Sequence, residues 1–349
     1  MAIPGLGRLT SIPRRLRNRR KPCGLILMYH RISDARPDPW GLCISPRNFA
    51  AQLAVLQKYF RPVPLREINA AVTADSPSFF PRRPVAITFD DGYADNLLAA
   101  APLLQRYETP ATIFVTSGNI GRTREFWSDE LERLLLAPGK MSRPLTLCLA
   151  GKTVAWDPGD AAEYTKTLAT RHRGWTALGA DTPTPRHQIF RELYALLQPL
   201  PETEREAALA ELARQTDIAP AIRESHRFLT AEELITLDRG EGIEIGGHTA
   251  THPKLSALTA RGQEQEIVAG KEALEQRLGH ALTSFAYPYG DYDEKSPPLA
   301  RAAGFDLACT TRRGVIRPRD GGYELPRFQI HDWNGREFAA WLSHWIATA

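Results

Sequence analysis

Residues 85–93, Val-Ala-Ile-Thr-Phe-Asp-Asp-Gly-Tyr, read as a buried strand that runs straight into two adjacent carboxylates and a glycine turn. Val85, Ile87 and Phe89 alternate with smaller or polar residues at period two, and Pro84 marks the entry. Gly92 admits backbone angles that a bulkier residue resists. Asp90 and Asp91 therefore stand at the carboxyl end of a strand. Neighbouring strand residues point to opposite faces, so these carboxylates do not face each other across one substrate bond as a glycosidase pair would; they divide two tasks. An isolated Asp-Gly would be read as a turn and nothing more. The partner that changes this reading lies far downstream.

Gly246-Gly247-His248-Thr249-Ala250-Thr251-His252-Pro253 follows a short apolar stretch, Ile243 to Ile245. Read as one helical turn, the spacing of four puts both imidazoles on one face, within reach of a single metal ion. His-x-x-x-His is common by chance. Joined to a strand-end aspartate, it supplies a His-His-carboxylate triad that leaves positions open for water and substrate.

Outside these two stretches, 349 residues at 43% apolar composition are ample for one barrel-sized domain or a domain with a substantial insertion. The formal net charge is +4. Arg8, Arg14, Arg15, Arg17, Arg19, Arg20 and Lys21 form a basic arm over residues 1–21 without an acid, and the rest of the chain is slightly acidic. Such an arm attracts anionic lipid headgroups at about 1 kcal/mol per basic residue near the surface; it is equally readable as a solubilising tail. No aromatic residue is interleaved with these charges, which argues against nucleic acid. No apolar run follows the arm, so a cytoplasmic protein is expected, peripheral at the inner membrane if the arm binds lipid. Cys23, Cys43, Cys148 and Cys309 have no Cys-x-x-Cys spacing and fit free thiols in a reducing compartment.

Strands and helices alternate along much of the chain. Leu25–Tyr29 reads as the first core strand, ending at His30; Ser45-Pro46 opens a helix with an apolar stripe of Phe49, Leu53, Leu56 and Phe60. A helix over about 94–107 and a strand over 111–115 follow Asp91. Alternation of this kind predicts a parallel sheet, open or closed. It breaks between about Gly121 and Arg227, where a helix over 126–136, a hairpin over 145–156 and helices over 187–197 and 202–215 read as a mainly helical insertion. This segment lies between the two metal motifs, as a cover over the site or as a docking surface. The pattern resumes with a capping box at Thr230-Ala-Glu-Glu233, a long helix over 259–278, a strand over 283–287, Pro288-Tyr289-Gly290, a helix over 292–303, strands over 306–310 and 324–330, and a Trp-rich last helix over 335–346.

These residues resemble a family, the polysaccharide deacetylases or NodB-homology carbohydrate esterases, in their exopolysaccharide-type branch. Thr88-Phe89-Asp90-Asp91-Gly92 matches its first motif and His248-Thr249-x-x-His252 its second. Ala286-Tyr287-Pro288-Tyr289-Gly290 resembles its third, with Ala286 where the family commonly has arginine. The resemblance implies an α/β fold, a distorted, incompletely closed (β/α) barrel over 22–121 and 228–349, with the mainly helical insertion at 122–227. It implies that Asp91, His248 and His252 hold a divalent metal, usually Zn2+, that Asp90 is the general base, and that the Tyr289 backbone N–H stabilises the oxyanion. The general acid would be His331, in Phe328-Gln329-Ile330-His331, with His30 as the alternative; Arg327 is the nearest replacement for the missing arginine beside Asp90. The implied activity is metal-dependent N-deacetylation of an N-acetylated sugar in a bacterial surface polysaccharide or its lipid-linked precursor. Two other readings stand beside it, a carbohydrate-binding or assembly protein without turnover and a metallohydrolase of another amide.

Overall fold

The computed structural model describes residues 24–73, 83–149, 151–219, 222–317 and 321–348. The basic arm and Cys23 lie outside the described residues. In chain order the first elements are β1 (Leu25–Tyr29), the short pair β2 (Arg31–Ile32) and β3 (Cys43–Ile44), α1 (Pro46–Tyr59), β4 (Arg61–Pro62), α2 (Leu65–Thr73) and β5 (Pro84–Phe89). A π-helical turn at Asn96–Ala100 leads into α3 (Ala101–Arg106) and β6 (Ala111–Val115). Next come α4 (Trp127–Leu136), β7 (Gly139–Lys140), the hairpin β8 (Leu145–Leu149) and β9 (Lys152–Trp156), β10 (Glu163–Tyr164), α5 (Lys166–His172), α6 (Pro185–Leu197) and α7 (Glu202–Arg214). The chain ends with α8 (Ala231–Asp238), β11 (Ile243–Gly247), α9 (Ala260–Leu278), β12 (Ser284–Ala286), α10 (Ser296–Ala302), β13 (Leu307–Cys309), β14 (Phe328–Gln329) and α11 (Gly335–Thr348).

One parallel sheet organises the barrel, in the order β13-β12-β11-β6-β5-β1-β14, with β4 also on β5. Its two edges are linked through one segment. Phe328 and Gln329 pair with Leu27 and Met28, while Leu325 bridges to Cys309 on the far edge. This is the incompletely closed barrel expected from the sequence.

Period-two alternation sends each strand's side chains to two places. Leu25, Leu27, Tyr29, Val85, Ile87 and Phe89 face outward, where Phe49, Leu53 and Leu56 of α1 and Ile267 and Leu274 of α9 cover the sheet. Ile26, Ala86, Phe114, Ala286 and Cys309 face the lumen, with Leu65, Ile68 and Val72 of α2 packed against the same group. Because β4 pairs with the first residues of β5, α2 covers the amino end of the barrel and leaves the carboxyl end open for chemistry. The segment between the motifs has a core of its own, in which Leu131 and Leu135 of α4 pack with Phe190 and Leu193 of α6 and Leu209 and Leu212 of α7.

Several local expectations change. The 94–107 helix is interrupted by the π-helical turn, and the 292–303 helix starts only at Ser296. The strand over 324–330 reduces to β14 and the bridge at Leu325. The 248–252 stretch is not a helical turn: Thr249 and His252 take φ of 62° and 61°. Cys43, Cys148 and Cys309 are free thiols. Among the described residues no helix is long and apolar enough to cross a membrane.

Candidate active site

The ladder of β5 continues one residue past the strand, where the Asp90 N–H donates to the Tyr29 carbonyl at 3.1 Å. Asp91 and Gly92 then turn the chain with φ of 76° and 79°. A Cβ at position 92 would also lie 3.1 Å from Val115, so glycine suits this turn twice over. Asp90 and Thr88, like Ala86, face the lumen, where they meet Arg327. The guanidinium donates Nη1 and Nη2 to the two carboxylate oxygens of Asp90, each at 2.7 Å, with Nη1 also 3.1 Å from Thr88 Oγ1 and Nε 2.9 Å from the Thr310 carbonyl. Arg327 is fully buried. Burial alone would raise the Asp90 pKa, but the Arg327 charge and its hydrogen bonds hold it below the ordinary carboxylate range.

The second motif starts from β11. A Cβ on Gly246 would come 2.6 Å from the Phe114 ring and one on Gly247 2.8 Å from Phe305, so the strand can pack here only as glycine. Beyond it, the His248 N–H donates to Val115 O at 3.1 Å. The loop that follows rests on α9. The Glu266 carboxylate accepts from the Ala250 and Thr251 N–H groups and from Thr251 Oγ1, and Gly270 allows the close approach, since a Cβ there would lie 2.5 Å from the Thr249 carbonyl carbon.

This loop brings both imidazoles to Asp91. His248 Nε2 and His252 Nε2 lie 3.5 and 3.1 Å from Asp91 Oδ1, and the three possible ligand atoms lie within 4.8 Å of one another. Bonds of 2.0–2.2 Å in tetrahedral geometry place ligand atoms about 3.4 Å apart, so the set fits a small divalent ion. His248 Nδ1 is 2.7 Å from the Ala286 carbonyl; it donates there and leaves the Nε2 lone pair for an ion. Burial disfavours charge on His252 and lowers its pKa, which suits a neutral ligand. Burial would raise Asp91, but hydrogen bonds from His248 and His252 hold it well below the usual range.

Tyr289 sits in the turn after β12 with φ of 59°. Its neighbour Gly290 cannot carry a side chain, because a Cβ would fall 2.0 Å from Thr311 Oγ1. The Tyr289 ring meets His252 edge-on at 4.5 Å, and its hydroxyl accepts from Trp127 Nε1 at 3.0 Å. Phe126 also contacts His252, with ring centroids 5.1 Å apart, and Tyr194 stacks on Trp127 at 4.8 Å. The segment between the motifs thus supplies aromatic residues directly against the metal-ligand candidates. In the sequence, Phe126, Trp127 and Tyr194 look like ordinary apolar faces of helices, and no local signal marks them out.

A family model described as polysaccharide deacetylase matches residues 79–139 and 213–308, which contain both motifs. Over these residues the chain is similar to the polysaccharide deacetylases. YxkH of Bacillus subtilis, a protein named as a polysaccharide deacetylase, is 33% identical over 117 residues, 33% of this chain and 39% of that protein. Chitin deacetylase 1 of Cryptococcus neoformans is 27% identical over 108 residues, 31% of this chain and 22% of that protein. The matches span well under two thirds of either curated relative. Two solved structures share the fold: the deacetylase PplD of Streptococcus pyogenes, in complex with acetate, with a TM-score of 0.57 at 17% identity over 92% of this chain and 98% of that one, and IcaB of Ammonifex degensii, with 0.57 at 18% over 93% and 97%.

Within this site, Ala286 faces the lumen beside Phe114, and the Arg327 guanidinium lies 5.5 Å from the Phe114 ring centre. The arginine that pairs with Asp90 therefore enters from β14 instead of β12. His30 and His331 occupy different places on the rim. His30 follows β1 next to Asp90 on β5, since Tyr29 pairs with Phe89 and its carbonyl accepts from the Asp90 N–H; its Nδ1 is buried with no partner among the described residues. His331 follows β14, two strand spacings from β5, or about 10 Å. Its ring packs against Trp333, with Asp38 and Arg313 as its charged neighbours.

Proposed function

We propose that the protein is a metal-dependent N-deacetylase that removes acetate from an N-acetylated sugar of a bacterial surface polysaccharide or its lipid-linked precursor. The observation that carries this reading is the placing of an ionised, arginine-paired Asp90 beside the converging Asp91, His248 and His252 donors at the open end of the barrel. A divalent ion held by those three residues, zinc by preference, supplies Lewis acidity for attack on an otherwise unreactive amide carbonyl. Asp90 takes the proton of the attacking water. The low pKa set by Arg327 keeps it a carboxylate at neutral pH, and each oxygen retains a lone pair beyond its bond to arginine. Tyr289 offers its backbone N–H to the developing oxyanion; among the described residues no acceptor takes that N–H. Between the two candidate acids, the proximity of His30 to Asp90 favours it over His331 as the donor to the leaving amine.

The deciding experiment measures acetate released from N-acetylglucosamine oligomers. Chelation should abolish it and zinc or cobalt restore it. Asp90→Asn should retain metal and lose at least about a hundredfold in rate, His248→Ala should lose metal, and His30→Gln should slow turnover far more than His331→Gln. Protein that binds no stoichiometric metal at neutral pH would sink the proposal.

A further inference from the structure

The insertion carries a cation with no anion paired to it. Arg205, on α7, is 4% exposed, and its guanidinium carbon lies 5.0 Å from the centre of the Trp127 ring. It lines a pocket with Arg122, Arg124, Glu130, Glu202 and Glu206. Those carboxylates are taken. Arg122 pairs with Glu202 and Glu206, and Arg124 pairs with Glu130 and reaches Glu206 at 3.7 Å. Glu125, also on the wall, is held by Arg133 and Arg223. Among the described residues no carboxylate forms an ion pair with Arg205 and no acceptor takes its side-chain N–H groups. Burial of an unpaired guanidinium is costly, and the face of Trp127 offsets only part of that cost.

A second donor points the same way. Asn119 lines the same pocket, its carbonyl oxygen 3.4 Å from Arg122 Nη1, which fixes the direction of the amide, and its NH2 is buried with no acceptor among the described residues. An unpaired guanidinium and an unsatisfied amide on one wall call for a guest rich in acceptors and negatively charged, and a guanidinium suits the planar recognition of carboxylate or phosphate. The pocket adjoins the metal motif. Thr251, between the two metal-ligand candidates, is part of its lining, and Trp127 reaches from it to the Tyr289 hydroxyl.

We propose that this pocket receives an oxyanion, carboxylate or phosphate, borne by the N-acetylated sugar, so that the preferred substrate is an acidic amino-sugar derivative; the inference rests on the deacetylase reading. The test is calorimetry on the full-length, metal-loaded protein with N-acetylglucosamine, N-acetylglucosamine 1-phosphate and N-acetylmuramic acid, with inorganic phosphate as the free-ion control. At least one charged sugar should bind about tenfold or more tightly than the neutral sugar, the two charged sugars distinguishing phosphate from carboxylate, and added salt should shrink the advantage. Arg205→Met should abolish it and Arg205→Lys retain part of it, with melting curves of both variants reporting the fold. Equal binding of all three sugars, no binding of the charged ones, affinity no better than inorganic phosphate, or an advantage that survives Arg205→Met overturns the pocket. Acetate release from a neutral oligomer is followed separately. Release without charge preference sinks only the anion pocket, whereas no release from any N-acetyl sugar sinks the deacetylase reading.

Discussion

Asp90 and Arg327 form a fully desolvated ion pair in which each group satisfies the other, and such a pair is destabilising only when one partner is removed. Arg327→Met should therefore cost about 3–5 kcal/mol of unfolding free energy, measured by denaturant melting at pH 7. The pH dependence should move with it. In the native protein the Asp90 pKa lies below its unfolded value, so the stability from this pair is complete above the unfolded pKa and is lost as pH falls through the folded one. Without Arg327 the largest influences opposing burial are gone, the Asp90 pKa rises, and the acid limb of the rate profile should shift to higher pH. Arg327→Lys should not rescue the profile, because a single ammonium cannot meet both carboxylate oxygens. An unmoved acid limb in Arg327→Met would remove Asp90 from the proton transfer.

Helix α4 contributes to the site through its first turn, where Phe126 and Trp127 meet His252 and Tyr289. Trp127→Phe keeps the aromatic packing and deletes one N–H. It should lower kcat about tenfold with KM nearly unchanged, and a Trp127→Phe/Tyr289→Phe double variant should lose little more than either single variant. Additive losses would mean that the two residues act independently. This contact was invisible in the sequence because helix periodicity says which face is buried but not what lies across from it. The β5 strand, the Thr230–Glu233 capping box and the hairpin of β8 and β9 were legible, since each is fixed by neighbours in the chain. The 248–252 loop was not. Its left-handed Thr249 and His252 are imposed by Glu266 and Gly270 of α9, about a turn and more of helix away in a different element. The pairing of Asp90 with Arg327 was suggested by the gap at Ala286 and is now seen as two hydrogen bonds, whereas nothing local set Arg205 apart from the other charges of its helix.

At the scale of the whole molecule, the membrane role expected of the basic arm over residues 1–21 can be tested directly. If it holds the protein at an anionic membrane surface, the full chain should co-sediment with anionic vesicles at low salt and be released as the Debye length falls below roughly 8 Å. Removal of residues 1–21 should abolish sedimentation while acetate release from a soluble oligomer persists. Equal sedimentation by both forms would clear the arm of a membrane role.

The segment that links the barrel's edges also delivers Arg327, 237 residues after Asp90. During synthesis on the ribosome, β5 and Asp90 emerge long before the arginine that keeps Asp90 ionised at depth. Until Leu325–Gln329 is in place, Asp90 lacks the buried partner that offsets its desolvation. Asp90 thus stays without its partner until residue 327 has been made, and a chain cut short before Arg327 should release no acetate.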